Sequence, residues 1–292
     1  MGARARETSE ALVERIPLGA DRPILKGYPA LMVRRLPSLS FPADEDERQE
    51  LRELLRTLGE DDAANAKRIA MCKAVATGLA RLGQVLWVQG SLLGPHRVSG
   101  ESRHGFGDDR VVGIATVAQI GGELARASIE LLRAGNRYAA SALVRQLFEV
   151  EYLAHAFAGD HESAAAWLRA DQKERREFWA PQRLRSRADG AFIDEHFWSH
   201  CERGGHPTTE GMALLPDHGS QIDTSFLWVD LAGHLANIWR HTFAAAEAAH
   251  GQPIPTDEWK LQDVDAALEA WRSSDLLYAA FQDLGAAIRE TP

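Results

Sequence analysis

Cysteine is nearly missing: Cys72 and Cys201 are the two in 292 residues. That excludes a disulfide framework and a four-thiolate zinc site. No run of 18 uncharged apolar residues occurs, and the nearest, residues 74–93, is interrupted by Arg81, Gln84 and Gln89. No membrane-spanning segment is therefore read, and no membrane partner is expected. The opening Met1-Gly2-Ala3-Arg4-Ala5-Arg6 runs into charged sequence without an apolar core. No signal peptide is read, so a cytoplasmic location is expected. The chain also lacks a P-loop, a strand-borne glycine fingerprint, a G-x-S-x-G elbow and an H-E-x-x-H motif. Basic residues are outnumbered, 33 to 42, for a net charge of −9. That balance argues against broad coating of nucleic acid while leaving room for a local basic patch.

What is present reads as an ordinary globular chain, 45% hydrophobic and 26% charged, long enough to bury a sizeable core. Residues 1–48 carry Pro17, Pro23, Pro29, Pro37 and Pro42, which predicts an irregular arm packed along the main body. From residue 49 to 292 a single helical domain is expected. Acidic residues at 44–53 open a helical pattern that Leu51, Leu54, Leu55 and Leu58 continue and Gly59 ends. Residues 62–93 repeat Ile69, Cys72, Val75, Leu79, Leu82 and Leu86 at helical steps, with Gly78, Gly83 and Gly90 marking a place for a break. A Gly/Pro/Ser-rich loop spans 94–107. Strong helical patterns follow at 111–132 and 137–157, then at 163–179, where Pro181 stops the last. A short apolar stretch at 192–198 leads into the turn Gly204-Gly205-His206-Pro207. Residues 226–250 form another long helix, and 257–290 one or two more. No run alternates as a half-buried strand would, and no 20–50-residue repeat appears. The expected fold is all-α, a multi-helix bundle.

Four constellations could carry chemistry. On helix 137–157, Leu143, Leu147, Val150, Ala154 and Phe157 form one apolar face, while Tyr138, Arg145, Glu149 and Tyr152 occupy the other with Val144 and Phe148. A helix apolar on two sides is buried between others, so Arg145 and Glu149 are expected to leave water together, either as a packing pair or as an anion-binding cleft. Cys201 and His206 flank a turn and have metal-binding atoms, but no complete ligand set is read, so no metal is expected and chelator treatment should leave stability unaltered. His234, Asn237 and His241 form a polar stripe on helix 226–250, opposite Leu231, Leu235, Trp239 and Phe243. Residues 169–187 hold seven Arg or Lys against three acids, with Phe178 and Trp179 among them. Basic plus aromatic side chains suit a single-stranded nucleic acid, and the interspersed acids suit a solvated helix face.

Ala142-Leu143-Val144-Arg145-Gln146-Leu147-Phe148-Glu149, followed by Tyr152-Leu153, resembles the L-x-R-x-x-x-E helix of a bacterial helical family known as a domain of unknown function (number 5677). Trp198 through Cys201 and on to His206-Pro207 is similar to its later segment, and the likeness spans roughly 110–250. That family looks similar to the HEPN superfamily of helical bundles, many of them RNA-cleaving toxins or defence proteins. The resemblance implies an HEPN-like core. The Arg and His of HEPN nucleases, four to six residues apart with a polar residue after the Arg, have their nearest counterpart in Arg97 and His104, where Val98 follows.

The leading expectation is an intracellular protein of a stress or phage-defence system that engages RNA or a nucleotide through a polar cleft. There Arg145 would hold a phosphate, Glu149 would orient it and His206 would act as acid or base. Arg175, Arg176, Trp179 and Arg183, with His234 and His241, would contribute binding. No cofactor is expected. One alternative is a non-catalytic interaction module that pairs with itself or another protein. A further alternative is a metal-dependent hydrolase using His206, His234 and His241.

Overall fold

The computed structural model describes residues 49, 53, 56–93, 107–192, 194–215, 224–251 and 253–279. The N-terminal arm, the 94–106 loop with Arg97 and His104, and the chain beyond 279 lie outside those residues. The described chain is 82% helical, with no strand. The fold is all-α. It resolves into two compact units, one of residues 1–68 with 269–292 and one of residues 69–268. The span 49–292, read from sequence as one domain, falls across both.

The larger unit is built on long helices: α1 (Asp62–Leu93, whose first residues belong to the smaller unit), α2 (Asp109–Arg133), α3 (Arg137–Gly159) and α8 (Thr224–His250). Between α3 and α8 run the short helices α4 (Glu162–Arg169), α5 (Gln172–Phe178), α6 (Pro181–Ser186) and α7 (Asp194–His200). A π turn (Cys201–Gly205) and a 3-10 turn (Glu210–Leu214) follow α7, and α9 (Gln262–Arg272) follows α8. α1 runs without the break that its glycines allow. Its glycines are crossing points instead, since a Cβ on Gly83 would lie 2.8 Å from the Ala115 carbonyl of α2. Half of the most apolar window of this helix, mean hydropathy 1.2, is buried inside the protein.

Asp108 caps α2 through the Arg110 amide, and Asn136 caps α3 through the Ala139 amide. Between the two helices Gly135 takes φ +75°, where a side chain would be strained. The helix expected over 163–179 is instead α4 and α5. Ala170, with ψ 133°, leaves the helix, and Asp171 starts α5 with a reciprocal capping box to Glu174. Local capping outweighs the continuing apolar pattern here.

Helix α3 is buried on two sides, as its pattern predicts, and it packs against α2, α8 and the π turn. Its Phe148 and Tyr152 join Leu184, Phe197 and Cys201 in one core cluster. That cluster fixes α7 and the π turn against α3. Gly204 sits so close to α3 that a Cβ would lie 2.6 Å from Ser141 Oγ and 2.8 Å from the Ala142 amide.

Candidate metal centre

Two helices each carry an i,i+4 pair of donor residues, and the packing turns the pairs toward each other. On α7 the pair is His196 and His200; on α8 it is Asp230 and His234. Residues four apart share a helix face, so each pair projects both side chains in one direction. The donor atoms of all four lie within 4.8 Å of one another. Asp230 Oδ1 is the hub: His200 Nε2 and His234 Nε2 each lie 3.3 Å away, and His196 Nε2 lies 3.6 Å away.

Those distances discriminate between two arrangements. An N–H···O hydrogen bond centres near 2.9–3.0 Å, and three imidazoles converging on one oxygen at 3.3–3.6 Å exceed it. Donors bound at about 2.0–2.1 Å to one tetrahedral ion stand roughly 3.3–3.4 Å apart, whereas adjacent donors around an octahedral ion stand about 2.9 Å apart. The His200 and His234 spacings from Asp230 match the tetrahedral edge, and the half-exposed His196 stands somewhat farther out. The set is three nitrogens and one oxygen, which suits zinc and its first-row neighbours and does not suit calcium or magnesium.

Below the cluster lies Phe148, its ring centroid 4.0 Å from His234, 4.4 Å from His200 and 4.9 Å from His196. One aromatic ring thus limits the rotation of three imidazoles and excludes water from that side. The side chains of His200 and His234 are 10% and 7% exposed, and Asp230 is 22% exposed. His196 is 49% exposed and gives the cluster one open side. Two buried imidazoles and a largely buried carboxylate, with the fourth donor on the solvent side, approach the three-ligand arrangement of a catalytic zinc site wherever His196 gives way.

Burial disfavours charge at each of these groups, and their mutual interactions decide which keep it. It pulls the His200 imidazole below its ordinary value, despite Asp230. It would raise Asp230, but the three imidazoles around it, His200 foremost, hold this carboxyl well below the usual range. It also opposes a charge on His234, yet Glu151 and Asp230 together outweigh it and push that imidazole up to about 10. With no cation present, a proton on His234 therefore sits between two carboxylates.

The π turn gives α7 its register. The His206 amide donates to the Cys201 carbonyl at 2.8 Å, a five-residue step that widens the helix just beyond His200. Such bulges recur at functional sites.

Of the residues singled out from sequence, the cluster contains His234 alone. His206 is exposed, and its carbonyl accepts a bond from the Tyr138 hydroxyl at 3.3 Å. His241 packs its ring on His155, centroids 4.9 Å apart. The trio His206, His234 and His241 is not brought together, because His206 caps the π turn and His241 lies two helical turns beyond His234 on α8. The structure supplies the set that the sequence reading did not find.

Arg145 and Glu149 are in contact, as their spacing predicts. Glu149 is 41% exposed, so the pair is not buried as a whole. Arg145 also donates to Cys201 Sγ at 3.4 Å and lies over the Phe197 ring. It is a packing element of the α3–α7 junction. Arg175, Arg176 and Arg183 are exposed, and Trp179 is half-buried under the Arg187 guanidinium.

Compared with protein-family models, with curated proteins and with solved structures, the chain matches none.

Proposed function

We propose that His196, His200, Asp230 and His234 hold one zinc ion and that the protein is a metal-dependent hydrolase. The convergence of three imidazole nitrogens on Asp230 Oδ1, two of them at the edge length of a tetrahedral site, carries this reading. His200, Asp230 and His234 would be the firm ligands, and the half-exposed His196 is the one that water or substrate would displace; zinc held so would supply a water acidified to near neutrality and polarise a carbonyl or phosphoryl oxygen. The chain's own contribution is the Phe148 floor, which keeps the centre dry on one side, and the exposed edge at His196, where a substrate would enter. The test is hydrolysis of nitrophenyl carboxylic and phosphate esters by metal-free protein, before and after one equivalent of zinc. Zinc should restore turnover in the wild type and not in His200→Ala. Equal rates with and without zinc would reject the hydrolase reading.

The exposed guanidinium groups of Arg175, Arg176 and Arg183 favour a second reading, contact with RNA. None of the three makes an ion pair among the described residues, and Phe178 beside them is 52% exposed. Phosphate contacts release counterions, so affinity for labelled single-stranded RNA should fall steeply with salt and vanish when all three become Glu. Binding that is absent at low ionic strength would end this reading.

A further inference from the structure

Directly behind His234 lies a carboxylate that the ligand set does not include. Glu151, on α3, has a side chain 5% exposed, and its Oε2 lies 2.6 Å from His234 Nδ1. Its other oxygen, Oε1, accepts from Asn237 Nδ2 at 2.9 Å. The amide of Asn237 is itself held, since Arg240 donates to Asn237 Oδ1 at 3.2 Å. That contact directs the Asn237 NH2 group toward Glu151. Among the described residues, Glu151 forms an ion pair with His234 and with no Lys or Arg. A buried carboxylate without a Lys or Arg partner needs another cation within reach, since an isolated buried charge is costly. The candidates are a proton on His234 or an ion on the far side of its ring.

We propose that Glu151, locked by Asn237, is the positioning residue of the metal centre. It holds His234 as the Nδ1–H tautomer, leaves the Nε2 lone pair facing Asp230 and the ion, and adds a negative charge that strengthens the hold on a divalent cation. The inference rests on the metal reading above. An outer carboxylate of this kind orients its histidine and raises the basicity of the ligand nitrogen.

Glu151→Gln tests it, because the amide has one acceptor for two donors, His234 Nδ1–H and the Asn237 NH2 group. A second variant, Glu151→Gln with Asn237→Asp, restores the pairing: the introduced amide accepts from His234 and donates to the new carboxylate. Zinc affinity is read by competition with a chromophoric chelator, and the site's geometry from the visible spectrum of the cobalt-substituted protein. Glu151→Gln should weaken zinc binding by about 10–100-fold while the cobalt spectrum stays four-coordinate. The double variant should recover most of the loss. His200→Ala, which removes a ligand, should change the spectrum itself. If Glu151→Gln binds zinc within about twofold of the wild type, short of the loss expected for an outer-shell partner, the inference is overturned and the metal reading stands. If the wild type binds no zinc, both fall. Should Glu151→Gln fail to fold, the double variant decides: wild-type affinity supports the positioning role, and a folded double variant with a loss of about 10–100-fold overturns the hydrogen-bond account.

Discussion

Zinc added to metal-free protein should raise its thermal unfolding midpoint by roughly 8–16 °C when free zinc exceeds the dissociation constant about a thousandfold. An ion bound only by the folded state stabilises it by RT ln(1 + [L]/Kd), about 4 kcal/mol under that condition. For a unit of about 200 residues each kcal/mol moves the midpoint by about 2–4 °C. The gain should disappear in His200→Ala and His234→Ala, whose rings are buried on the Phe148 floor. In His196→Ala part of it should remain, because that ring is half exposed and stands farthest from Asp230 Oδ1. Differential scanning calorimetry across these four proteins checks the order. An unchanged midpoint in the wild type would mean that the four donors bind no zinc, and the sequence-based expectation that chelators are without effect would stand.

In the smaller unit, Asp275→Ala should cost on the order of 3–5 kcal/mol of stability. Arg68 and Asp275 form a two-pronged pair, Nε to Oδ2 at 2.7 Å and Nη2 to Oδ1 at 2.8 Å, with both side chains fully buried. Asp275 also accepts from Trp271 Nε1 at 2.6 Å and from the Tyr278 amide at 3.0 Å. Removing the carboxylate strands a guanidinium with no water to solvate it and leaves the indole N–H without its acceptor. Arg68→Met combined with Asp275→Asn removes both charges at similar volume and keeps an acceptor for Trp271, so it should cost much less than Asp275→Ala. Urea denaturation of the two variants separates the cases. Equal losses would show that packing volume, not charge, holds the two segments together.

Helices are legible where apolar residues recur at helical steps over many turns, as in α2, α3 and α8. Periodicity misleads where short polar devices decide the outcome. Asp171 and Glu174 split one expected helix into two, and the glycines of α1, a weakness by propensity, are where α2 approaches. The metal centre is only half legible. His234 and Asn237 stand out as a stripe on one helix, but periodicity within a helix says nothing about which second helix will face it. The usable signal is two separate i,i+4 pairs of ligand type, His196 with His200 and Asp230 with His234. Cys201 and His206 in the adjoining turn are more conspicuous in sequence and lie outside the cluster. Glu151 gives no signal of its own: it stands two residues from the more conspicuous Glu149 and acquires meaning only once His234 is placed against it.

X-ray absorption at the zinc edge, on protein loaded with one equivalent of zinc, tests the central claim most directly. The account predicts four nitrogen or oxygen neighbours at about 2.0–2.1 Å, with the outer-shell scattering of three imidazole rings. That spectrum should be unchanged in His206→Ala and in His241→Ala. A sulfur neighbour at about 2.3 Å, or a spectrum that loses an imidazole in either variant, would contradict the assignment of the ion to His196, His200, Asp230 and His234.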